Sequence, residues 1–263
     1  MMTESTATSA GLKGVVAGRS SICLIDGEQG LLAYRGYDIH DLAKHSTFEE
    51  TTYLLWEGKL PTRADLADFT TMLAEQRSVP ESVLDLIVNS PIDAPPMATL
   101  RTAVSALGAA DPLGEDMSPK ANRTKAARLT AQIATLTAAI ERCRHRLEPI
   151  SPDPALNHAA NFLYMVRGER ASTAASRAFD VALVMHADHG FNASTFSSRV
   201  TAATLSDMHS AITSAIGTLK GPLHGGANQR VKEMLDEIGS PDCVVGYVDK
   251  TLAAKKRIMG FGH

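Results

Sequence analysis

Three histidines in this chain stand where an imidazole could do chemistry. His224 lies in Gly221-Pro222-Leu223-His224-Gly225-Gly226-Ala227-Asn228, with glycines clearing space around it and Pro222 stiffening its approach. A helical pattern follows at once, so the ring meets the positive end of a helix dipole, which favours its neutral form. A neutral imidazole can donate a hydrogen bond to a carbonyl oxygen that is becoming an enolate. His186 and His189 sit in His186-Ala187-Asp188-His189 at the end of another helical pattern, spaced to share one face, with His189 in the last turn. Asp188, Asn192 and Ser194 add polar groups there. The plainer role for His186 is to cap carbonyls inside a core. His263 closes the chain in Gly260-Phe261-Gly262-His263, a position where residue physics alone assigns no role.

The elements that must position these residues are almost all helices. Short β-like runs at Val15–Gly18, Ser21–Ile25 and Leu31–Tyr34, with turn chemistry at Asp26-Gly27 and Gln29-Gly30, predict a small N-terminal hairpin. Ser46-x-x-Glu49 reads as a capping box opening a helix that stops at Gly58. Helices then fit from Thr62, from Pro80, from Met97 to a stop at Gly108, and from Lys120 to Leu147. In that last one Leu129, Ile133, Leu136, Ile140 and Leu147 form the apolar stripe. Further helices fit Leu156–Val166, Thr173–His189, Ala193–Leu205, Asp207–Leu219, Ala227–Ile238 and Val244–Met259, with a loop over Asp111–Lys120. The fold class read from this is all-α with a small hairpin.

Composition excludes several function classes. The 263 residues carry a formal charge of -3, 44% hydrophobic and 21% charged residues, and no Lys/Arg block that would suit a nucleic-acid groove. Lys255-Lys256-Arg257 reads as a solvated helix face. Three widely spaced cysteines, Cys23, Cys143 and Cys243, give neither a disulfide framework nor a zinc-ribbon spacing. The polar start lacks signal or transit character, and no apolar run is long enough to span a membrane, so a cytoplasmic protein is expected. Two histidines without a third ligand nearby make a poor metal site, and no metal is expected. The remaining histidines, His40, His45, His145, His158 and His209, match no site motif and are expected at the surface or in capping roles.

Several segments, in order, resemble the citrate synthase family. They are Tyr34-Arg35-Gly36-Tyr37-Asp38-Ile39, Tyr53 to Thr62, Pro152-Asp153-Pro154 with Asn161 to Met165, His186 to Ser194, Gly221 to Asn228, and Met259 to His263. The resemblance implies a homodimer with a large and a small helical domain closing over oxaloacetate and acetyl-CoA. Residues 1–220 would be large domain and 221–263 the beginning of the small one. By the same resemblance, His224 hydrogen-bonds the thioester carbonyl, His263 donates to the oxaloacetate carbonyl, and His189 with Asn192 binds oxaloacetate. No cofactor is implied, since acetyl-CoA is a substrate. In the family the last motif continues into Arg-Val-Tyr and a region bearing the catalytic aspartate. Asp188, Asp236 and Asp249 do not stand in that aspartate's context. The expectation is therefore an N-terminal portion of such an enzyme, inactive or nearly so on its own. Gln132-Ile133-Ala134-Thr135 departs from relatives that carry proline before the threonine, which touches a kink and not the chemistry. Alternatives are 2-methylcitrate synthase, which takes propionyl-CoA, and a non-catalytic helical dimerisation module.

Overall fold

A computed structural model describes residues 18–222 and 224–260. Asp26 turns the chain first. Its carboxylate accepts from the backbone N–H groups of Glu28 and Gln29, both at 3.0 Å, and Gly30 supplies a φ of +64°. Strands β1 (Cys23–Asp26) and β2 (Leu31–Tyr34) pair antiparallel across that turn, with Cys23 opposite Tyr34. A third strand, β3 (Tyr37–Asp38), was not foreseen. Arg35 and Gly36 link it to β2 with φ of +50° and +89°, the paired positive values of a tight hairpin. Of the first expected β run, Val15 to Ala17 lie outside the described residues.

Helices follow: α1 (Ile39–His45), α2 (Phe48–Glu57), α3 (Arg63–Glu75), α4 (Glu81–Val88), α5 (Pro96–Ala110), α6 (Pro119–Arg144) and α7 (His158–Arg167). After them come α8 (Thr173–Met185), α9 (Ala193–Ala203), α10 (Met208–Leu219), α11 (Gly226–Ile238) and α12 (Val244–Ala253). None of the described helices is long and apolar enough to cross a membrane.

Four sequence expectations need correction here. The capping box of α2 is Thr47 with Glu50, one residue later than expected. Ser46 and Glu49 are occupied elsewhere: the Ser46 hydroxyl meets that of Thr51, and the buried Glu49 carboxylate accepts the His158 N–H at 2.7 Å. Helix α5 runs through Gly108. This glycine marks a helix crossing, because a Cβ there would stand 2.8 Å from Cβ of His209 on α10. Leu147 lies beyond α6 and is exposed, and the long helix ends at Arg144. Lys255 to Arg257 are exposed as expected but sit in a turn after α12, not on a helix face.

The main core joins α4, α5, α6 and α10 through Val83, Ile87, Val104, Leu107, Leu136 and Ile216. At the departure noted in α6, Gln132 donates to the Ser78 carbonyl at 2.6 Å and Thr135 to that of Arg77 at 2.9 Å. A second cluster of Tyr34, Ile39, Leu42, Leu54 and Val184 fastens the hairpin to α1, α2 and the end of α8. Helix α10 packs on α9 as well as on α5, and Ser197 and Ser214 hydroxyls meet at 2.5 Å between them. Thus α8, α9 and α10 bring their ends together beside the hairpin.

Candidate active site

Helix α8 ends at Met185, earlier than expected. Its C-cap is His186, whose Nδ1–H donates to the Ala182 carbonyl at 2.7 Å. His189 therefore stands beyond the helix, in a turn, and the two rings do not share a helical face. Nor does His189 lie in the last turn, where the dipole would act on it. The turn is shaped by Asp188, whose carboxylate accepts the Gly190 N–H at 2.9 Å, and by Gly190 with a φ of +62°. Asn192 follows as N-cap of α9 and spends its side-chain oxygen on the Thr195 N–H at 3.0 Å. Its amide nitrogen is the part left for a ligand.

Residues after α10 form a tight turn. The His224 N–H donates to Gly221 at 3.0 Å, and the Gly225 N–H to Leu219 at 3.1 Å. Gly225 cannot carry a side chain here, since a Cβ would lie 2.3 Å from the Leu219 carbonyl oxygen. This closeness puts the half-buried His224 ring against α9, where its Nε2 meets the Ser194 hydroxyl at 2.6 Å. In the sequence Ser194 is only one of several polar groups near this turn. Its pairing with His224 is a long-range contact that spacing does not reveal.

His186, His189 and His224 all line one cleft of about 630 Å³, with Asn192, Ser194 and Thr195 from the start of α9. Leu32 of the hairpin, Met185 and Leu219 supply apolar wall. Among the described residues lining it there is no carboxylate. The N-terminus of α9 opens into the cleft and offers partial positive charge to an anionic ligand. His263 lies outside the described residues. No three His, Cys, Asp or Glu side chains among the described residues converge as a metal site.

Of the remaining histidines, His40, His45 and His145 are exposed, and His40 and His145 pair with Asp38 and Glu141. His158 and His209 correct the expectation: both are buried in the helical core. Burial pushes the His158 imidazole down to about 4, aided by the charge of Arg77. Burial likewise lowers His209, while Asp111 and Asp207 act against it.

The family profile for citrate synthase, C-terminal domain, matches residues 11–263. The chain belongs to the citrate synthase family. It is 47% identical over 253 residues to the citrate synthase of Deinococcus radiodurans, covering 96% of this chain and 67% of that protein. It is 46% identical to the 2-methylcitrate synthase of Mycobacterium tuberculosis, covering 96% of this chain and 64% of that protein. Its fold matches the ternary complex of carboxymethyl coenzyme A and oxaloacetate with citrate synthase from Thermoplasma acidophilum. That match has a TM-score of 0.87 at 32% identity, over 95% of this chain and 66% of that one. The chain thus spans about two thirds of the length of these relatives.

Proposed function

We propose that the cleft serves the condensation of acetyl-CoA with oxaloacetate to citrate and CoA. The observation that carries this reading is the junction of His189 and His224 on one cleft with the N-terminus of α9. A dicarboxylate suits that helix end, with His189 and the Asn192 amide as neutral or positive donors. His224 faces the acyl group. If the Ser194 hydroxyl donates to Nε2, the neutral ring carries its proton on Nδ1 and presents it to the thioester oxygen.

The chemistry then runs as follows. A base removes a proton from the acyl methyl group, and the enolate oxygen is stabilised by the His224 Nδ1–H. The enol carbon attacks the keto carbon of oxaloacetate, whose oxygen takes a proton from His263. Water finally cleaves the thioester, releasing citrate and CoA. Donors fixed at the developing charge are worth about two to three orders of magnitude in rate each. None of the carboxylates among the described residues lines the cleft, so no residue is assigned as this base. The homodimer and closing small domain implied by the resemblance belong to the same proposal.

Calorimetric titration with oxaloacetate tests the reading. Binding that is weakened by His189→Ala supports it, and no binding overturns it. Thiol release from acetyl-CoA plus oxaloacetate tests the inactivity expected from the sequence, which robust turnover by this chain would refute. Relatives named as 2-methylcitrate synthases match about as well as citrate synthases, which favours propionyl-CoA as the second candidate. The extra methylene is worth only about 1–3 kcal/mol, so competition between the two acyl-CoAs decides it.

A further inference from the structure

The hairpin does more than cover the core, because its last residue pair grips the turn that carries His189. Tyr34 is fully buried at 0% exposure, and its hydroxyl reaches backbone only. It lies 2.9 Å from the Asp188 carbonyl and 3.2 Å from that of Met185, and it accepts the Asp188 N–H at 3.2 Å. A phenol has one proton to give and lone pairs to receive with. A single hydroxyl therefore satisfies both peptide groups of Asp188, the residue immediately before His189. Across the strand pair from Tyr34, Cys23 stands near the Asp188 carboxylate, which adds to burial in pushing its thiol up to about 11. Ile25 of β1 lies against Gly190 on the other side of His189, 3.5 Å from where a Cβ would be. Backbone on both sides of this histidine is thus held by the hairpin.

We propose that Tyr34 is a positioning residue for oxaloacetate: by fixing the Asp188 peptide groups it aims the His189 ring into the cleft. This deepens the reading of the cleft given above and rests on it. Leu32, two residues earlier on the same strand face, lines the cleft itself, so strand β2 sets both the wall and the ring.

Tyr34→Phe tests it, since the ring stays buried and only the hydroxyl goes. Oxaloacetate affinity is expected to fall about tenfold, the factor that one lost buried hydrogen bond of ordinary strength represents, while acetyl-CoA binding is unchanged. Asp188 amide exchange should quicken by a similar factor. Leu136→Ala, in the separate α6 core, is the control for lost stability. It should lower the unfolding midpoint at least as much and leave oxaloacetate affinity unchanged. Wild-type affinity in Tyr34→Phe overturns the proposal, as does an equal loss of affinity in Leu136→Ala. Failure of the wild-type protein to bind oxaloacetate is a distinct result, which removes the reading of the cleft and the positioning role together.

Discussion

His158 offers a prediction whose size follows from its surroundings. It is the first residue of α7, 6% exposed, with its ring against Phe48 at a centroid distance of 4.7 Å and its Nδ1 without a partner. Burial and the Arg77 charge together bring its pKa from 6.5 to about 4. The folded value lies below the unfolded one, so the native ring stays neutral where the unfolded chain already takes a proton. Its contribution is fully present above about pH 6.5 and is lost as pH falls through about 4. Between pH 7 and pH 5 that loss is about 2 kcal/mol, and its limit at lower pH is about 3 kcal/mol. The neighbouring Glu49 carboxyl is raised, first by burial, and its sign is opposite: the native state protonates earlier and gains stability as pH falls. The effect of His158 is therefore read as a difference. Urea unfolding of wild type and His158→Leu at pH 7 and pH 5 should show the wild type losing about 2 kcal/mol more over the interval. The leucine keeps the backbone N–H that Glu49 accepts. Parallel losses in the two proteins would refute the argument.

Three other substitutions probe the site and its frame. Gly225→Ala forces the new Cβ against the Leu219 carbonyl and breaks the turn's 3.1 Å hydrogen bond, at a local cost of about 1–3 kcal/mol. Oxaloacetate binding should weaken and the unfolding midpoint should fall by several degrees, and unchanged binding would show that the turn tolerates a side chain. Ser194→Ala leaves His224 Nε2 without its partner; imidazole ¹⁵N shifts should pass from one dominant tautomer to a mixture, a change of about tenfold in ratio. An unaltered spectrum would remove Ser194 from the site. Thr47→Ala should cost about 1 kcal/mol in denaturant unfolding through loss of the α2 capping box, and a smaller effect than Ser46→Ala would restore the other register.

Most helices were legible because apolar spacing repeats and because caps such as Ser172, Asn192 and Asp207 stand where helices start. The errors share a cause. Ser46 and Thr47 each precede a glutamate by three residues, so the local pattern is the same twice, and only burial of Glu49 against α7 selects between them. Gly108 looks like a stop in one dimension and is a contact in three. The overrun of α8 came from the lack of any glycine or proline before Gly190, while His186 ends the helix with its own ring. Burial of His158 and His209 depends on which helices pack over them, which no local window contains. That His189 and His224 line one cleft was likewise implied by family resemblance and not by spacing, for His224 reaches it by packing on Ser194 of α9, 30 residues earlier in the chain. Tyr34 was part of a recognised motif, yet its partners lie 151 and 154 residues away.

The most direct test follows the imidazoles themselves. In histidine-labelled protein titrated with oxaloacetate, the ring signals of His189 and His224 should move together over one concentration range, while those of exposed His40 and His145 stay still. Movement of only one of the pair, or of neither, would contradict the claim that both face a single substrate cleft.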